Sequence, residues 1–124
     1  VSTGGFCTSR ERDVSSAVVD YSGSGLFETL FRATTDRWGH AFLEDSRGPG
    51  VWIDLTLVPG APTCTEDTAL SVTEEDPGHL FISLLGGDGV IYAARCNTSA
   101  TAFTAANIAT ACAPGFTPVP GTPV

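Results

Sequence analysis

Two histidines and a set of carboxylates are the side chains in this sequence best equipped to move protons or hold a metal. His40 and His79 each follow a glycine and each sit downstream of acids, Asp36 in one case and Glu74, Glu75 and Asp76 in the other. An imidazole oriented by a carboxylate can act as a general base or ligate a metal. His40, His79 and Glu75 are therefore the set that a small hydrolase would use. Neither histidine lies in a recognised ligand spacing, however, and Gly-His also suits the start of a strand just after a turn. That structural reading is preferred. No catalytic residue, metal site or cofactor is assigned, and hydrolysis by the three residues is kept as an alternative.

Other motifs carry less chemistry. Gly23-Ser24-Gly25 lacks the frame of a nucleophile elbow, and Gly86-Gly87-Asp88-Gly89 precedes a strand rather than a helix, so it is read as a hairpin turn and not a phosphate loop. The acids Glu66, Asp67, Glu74, Glu75 and Asp76 do not follow EF-hand order and read as a solvated edge that discourages strand pairing. Asn97-Thr98-Ser99 is a glycosylation sequon, relevant in a eukaryotic secretory pathway. Tyr21, Trp38, Trp52 and Tyr92 are aromatic residues with a polar handle, the type that recognises sugars and protein surfaces. Trp52 alternates with Val51 and Ile53 and is assigned to the core, whereas Trp38 lies in a turn between Arg37 and Gly39 and is the expected exposed contact. Trp38, Arg37 and Tyr92 form the candidate binding set.

The elements that would position these residues follow from an internal repeat. Gly39-His40-Ala41-Phe42-Leu43 recurs 39 residues later as Gly78-His79-Leu80-Phe81-Ile82, and in the same register Gly48, Gly50 and Val51 fall on Gly87, Gly89 and Val90. Trp52 then falls on Ile91, and Thr29 and Thr34 fall on Thr68 and Thr73. Gapless agreement of this kind points to a repeated supersecondary unit, with copies at about 26–58 and 65–96. Each copy reads as a three-stranded meander, with strands at 26–34, 39–44 and 51–58 and again at 69–73, 79–85 and 90–96. Leu80 to Leu85 is apolar at nearly every position and is expected to lie between layers. Residues 17–21 add a strand, the Ala-rich stretch 101–112 reads as a short helix, and 117–124 is a Pro-rich extended tail following a single domain at 1–116. The expected fold is all-β and mainly antiparallel, with the two meanders packed as a sandwich or barrel.

The four cysteines, Cys7, Cys64, Cys96 and Cys112, lack the close spacing of zinc or thioredoxin-like sites and read as two disulfides. Cys64 and Cys96 bracket the second meander, whose ends lie on opposite sides of a sheet, so they are too far apart to bond. Of the two remaining pairings, Cys7 with Cys64 and Cys96 with Cys112 is preferred, because the second bond would staple the helix to the last strand. The chain starts at Val1 and contains no Met, which fits a mature secreted protein freed of its signal peptide. Six Arg and no Lys stand against 14 acids, a net charge of −8 over 124 residues, which disfavours nucleic acid and anionic lipid as partners. The longest apolar run is far too short to cross a bilayer, so no membrane insertion is expected. The expected function is a secreted, non-enzymatic binding or assembly module that acts through protein contacts or self-association. Carbohydrate binding through Trp38 is a further alternative.

Overall fold

The computed structural model describes Cys7 and residues 12–21, 26–75 and 77–124. Two four-stranded antiparallel sheets account for most of them. The first takes β1 (Val14–Val19), β2 (Thr29–Thr35), β3 (Ala41–Asp45) and β4 (Trp52–Asp54) in chain order; the second takes β5 (Thr65–Val72), β6 (Gly78–Gly86), β7 (Ile91–Thr98) and β8 (Thr117–Pro118). Among the described residues there is one short α-helix, α1 (Ile108–Ala111). The disulfides are Cys7–Cys64 and Cys96–Cys112, the preferred pairing. Gly23-Ser24-Gly25, and Asp76 of the acidic turn, lie outside the described residues.

Alternation sends one face of each sheet into a shared core. Phe31, Leu43 and Ile53 from the first sheet and Leu80, Ile82 and Leu84 from the second are fully buried, and Ile108, Cys96 and Cys112 join them. The sheets are also joined by polar contacts at the entry to β1. Asp13 accepts hydrogen bonds at one carboxylate oxygen from the Thr68 N–H and hydroxyl, both 2.7 Å, while the Thr35 N–H donates to the Asp13 carbonyl. One residue thus fastens β5 to the end of β2.

Several boundaries differ from the sequence expectation for local reasons. The strand expected at 17–21 instead covers Val14–Val19, in register with β2 from Val14↔Thr34 to Val19↔Thr29. The strand expected over 51–58 stops at Asp54, whose carboxylate accepts hydrogen bonds from the N–H and hydroxyl of Thr56 and caps a 3₁₀ turn at Leu55–Leu57. The helix expected over 101–112 shrinks to Ile108–Ala111 because Thr104 and Asn107 exchange side-chain-to-backbone bonds that hold a turn. Leu80 to Leu85 is not buried on both faces: Phe81 is 39% exposed and Ser83 and Leu85 are half-buried. The expected extended tail places Thr117–Pro118 against Tyr92 and Ala93 of β7 within the same chain.

A buried ion pair fixes the segment that leads to α1. Asp45, 1% exposed, receives Arg47 Nε at 3.0 Å and Nη2 at 2.7 Å, and its Oδ2 also accepts the Phe103 N–H at 3.1 Å. Arg47 donates onward to the Ser99 carbonyl and lies 6.0 Å from the centroid of Phe31. Asp45→Ala leaves Arg47 and the Phe103 N–H without this acceptor. It is expected to cost about 3–5 kcal/mol of stability in urea unfolding, with Asp45→Leu combined with Arg47→Met less damaging than Asp45→Ala alone.

Candidate binding site

Three loops converge on Cys64. The Thr65 N–H donates to the Gly39 carbonyl at 2.9 Å, which fastens the β2–β3 turn, and the Gly87 N–H donates to the Cys64 carbonyl at 2.8 Å, which fastens the β6–β7 turn. The disulfide brings Cys7 to the same place. Gly39 has φ +76°, and a Cβ there would stand 2.8 Å from the Cys7 Cβ, so both conformation and space call for glycine. An open cleft of about 510 Å³ lies at this end, lined by residues 60–64 with Gly87, Asp88 and Tyr92.

Both flanking turns use the same device. Asp36 accepts the N–H groups of Trp38 and His40 at Oδ1, each 2.9 Å, and lies 3.0 Å from His40 Nδ1 at Oδ2. Asp88 accepts the Val90 N–H at 3.0 Å through Oδ1 and the Tyr92 hydroxyl at 2.6 Å through Oδ2. In each case a carboxylate closes the turn and holds the side chain four residues on. The bond from Tyr92, helped by the Val90 N–H, keeps the Asp88 carboxyl below its ordinary range. The same bond raises the Tyr92 phenol, with burial and the nearby charge adding to it. For Asp36 burial pushes upward, but hydrogen bonds from the backbone and ring of His40 and the N–H of Trp38 outweigh it, and the carboxyl ends below its ordinary range.

The candidate binding set flanks this end. Trp38 is 48% exposed and Arg37 is exposed on one side of Cys64, and Tyr92 is half-buried in the cleft on the other. The catalytic alternative is more scattered. His40 just precedes β3 and lies beside Asp36, whereas His79, in β6 of the other sheet, has its ring centroid 6.2 Å from that of Phe81. Glu75 is exposed in the turn before β6. Among the described residues no three His, Cys, Asp or Glu side chains gather as metal ligands. Asn97 of the sequon is exposed on β7.

Trp52 corrects the sequence expectation. It is 42% exposed rather than core, because Leu43↔Ile53 pairing sends Ile53 inward and leaves Trp52 outward opposite Glu44. The signal was present in Asp54, which shares the phase of Trp52. Asp36 stands beside His40, the carboxylate the sequence places upstream of it, whereas the Asp88–Tyr92 pair was missed, although an aspartate four residues before a hydrogen-bonding side chain, across a glycine turn, marks it as well. A scan against protein-family models found no match, and searches of curated proteins and solved structures found no similar chain.

Because Asp36 and Asp88 are more acidic folded than unfolded, their contribution is present above about pH 4 and is lost as pH falls through their folded values. At the alkaline end, absorbance titration at 295 nm is expected to show a phenol ionising above pH 10, the ordinary value. That transition should vanish in Tyr92→Phe and move to lower pH in Asp88→Asn.

Proposed function

We propose that this chain is a secreted, disulfide-stabilised binding module that engages a basic protein surface through the Cys64 end. The observation that carries this reading is Trp38, 48% exposed on a turn held by the Asp36 carboxylate and by the Gly39–Thr65 bond. An exposed indole on a fixed turn loses little freedom on binding, and Trp, Arg and Tyr are the side chains that most often dominate interfaces. Arg37 and Tyr92 supply the other two. The charge of the partner follows from Asp36, Glu66, Asp67 and Asp88, all on segments that meet at this end, within a chain of net charge −8.

The same charges disfavour a second copy, whose acids would meet their own kind. The Pro-rich end is a weaker contact element, since Thr117–Pro118 pair within the chain. A hydrolase using His40, His79 and Glu75 has less support, because the two imidazoles have separate neighbours on different sheets. On this reading the meanders β2–β4 and β5–β7 are copies of one unit offset by 39 residues. Packed as a sandwich or barrel, they form the rigid frame that presents the turns.

Peptide display against the oxidised protein is expected to enrich Lys- and Arg-rich sequences whose affinity falls at least tenfold for Trp38→Ala and weakens with salt. Val18→Ser, on the opposite face of β1 from the core, should leave it unchanged. Enriched peptides that bind Trp38→Ala as well as the parent would overturn the reading. Light scattering behind a sizing column is expected to give a species of 12.8 kDa; a dimer abolished by Trp38→Ala would make the partner a second copy.

A further inference from the structure

The outward face of the first sheet carries a second surface, away from the Cys64 end. Pairing places Ser16, Arg32, Glu44 and Trp52 in one row across the four strands. With strands about 4.8 Å apart, the row spans about 14 Å. Trp52 stands 42% exposed at one end of it. In the middle, Arg32 Nη1 donates to Glu44 Oε1 at 2.9 Å, and Glu44 Oε2 accepts the Gly50 N–H at 3.0 Å. The Glu44 side chain is 10% exposed and that of Arg32 46%, so the carboxylate is clamped while the guanidinium remains open to solvent. The Gly50 N–H first, and Arg32 second, hold the Glu44 carboxyl below its ordinary range, which keeps the pair ionised into mild acid. The adjacent row is Val14, Thr34, Phe42 and Asp54.

The chemistry of this row selects its occupant. An apolar protein surface laid across it would strip water from the Arg32–Glu44 pair without replacing the lost hydrogen bonds, which is unfavourable. An anionic ligand would meet Glu44, Asp54 and a chain of net charge −8. A neutral polyhydroxylated chain meets neither obstacle. Its C–H faces can stack on the indole, and its hydroxyls can both accept from the guanidinium and donate to carboxylates. A row extended across four strands also suits an extended polymer better than a small molecule. We propose that the Ser16–Arg32–Glu44–Trp52 row binds a neutral polysaccharide, with Trp52 as the stacking platform and Arg32 as the hydroxyl donor.

The chain has two tryptophans, so Trp38→Phe leaves Trp52 as the sole indole and makes its fluorescence a direct reporter. That variant would be titrated with soluble β-1,3-glucan, xylan, galactomannan and chitin oligosaccharides, and sedimented with insoluble cellulose and chitin. The expected result is saturable binding to at least one of these, with a blue shift for a soluble ligand. Affinity, read by calorimetry or co-sedimentation because Trp52→Ala leaves this background without an indole, should fall at least tenfold in Trp52→Ala and measurably in Arg32→Gln, with circular dichroism unchanged. Val51→Ser, one residue out of phase, should bind normally. Failure to bind any of the six, or binding that survives Trp52→Ala in a folded protein, overturns the proposal. Should Trp52→Ala not fold, undiminished binding by folded Arg32→Gln overturns it and a measurable loss upholds it. Because Trp38 is absent from the reporter, this outcome is independent of the protein-binding surface at the other site.

Discussion

Asp45 ends β3 with a carboxylate that is almost wholly removed from water, and the chain has to bring donors to it. Three come from Arg47, through its backbone N–H and two guanidinium nitrogens, and a fourth is the N–H of Phe103, far along the sequence. That last bond decides where the chain goes after β7. It holds Phe103 with its ring 5.8 Å from that of Phe31, and residues 104–107 then turn into α1, which carries Ile108 into the core. Cys112 follows directly, in reach of Cys96 on β7. The disulfide therefore closes a path that the buried carboxylate has already set.

The same use of aspartate recurs at lower burial. Asp36, Asp45, Asp54 and Asp88 each accept the backbone N–H two residues ahead, at the turn or strand end that redirects the chain. Much of the acidic excess in the composition is thus structural acceptor rather than solvated decoration. Two of the four also reach a side chain four residues on, His40 and Tyr92, and these are the two turns that flank Cys64. The two turns are held by Asp36 and Asp88, whose carboxylates are committed to the backbone, and that commitment is also why the ionisation of these two is linked to folding.

Much of the architecture was legible in the sequence where one constraint dominated. Glycine turns separated the strands, and meander geometry excluded a Cys64–Cys96 bond, leaving two pairings of which the one preferred for its short Cys96–Cys112 loop is found. The exposure of Trp38 was legible from its place in a turn. What escaped was decided by side chains competing with the ladder: Asp54 capturing Thr56 cut β4 to three residues, and Thr104 with Asn107 cut the helix to four. Trp52 departs from the core expectation because strand phase overrides side-chain hydrophobicity. Its neighbour Ile53 had a core partner in Leu43, and a strand cannot turn two successive side chains inward. Phe81 fails for the same reason between Leu80 and Ile82.

The sheet edges offer little backbone to a partner, which leaves turns and sheet faces as the accessible surfaces. β4 has three residues before Asp54 turns the chain away, and β8 has two, one of them Pro118, which has no N–H to offer. On the other margin of each sheet, β1 and β5 meet through Ser15, Asp13 and Thr68, with the two hydroxyls 2.7 Å apart. A partner seeking to add a strand finds little ladder to extend. On the readings proposed above, contact falls to side chains standing off the backbone. The tryptophans that do so, Trp38 on a turn and Trp52 on a sheet face, differ in their surroundings: acids committed to backbone in one case, and a clamped ion pair with spare guanidinium donors in the other. Rigid presentation is common to both, and the chemistry beside each indole is what separates a basic protein surface from a neutral sugar chain.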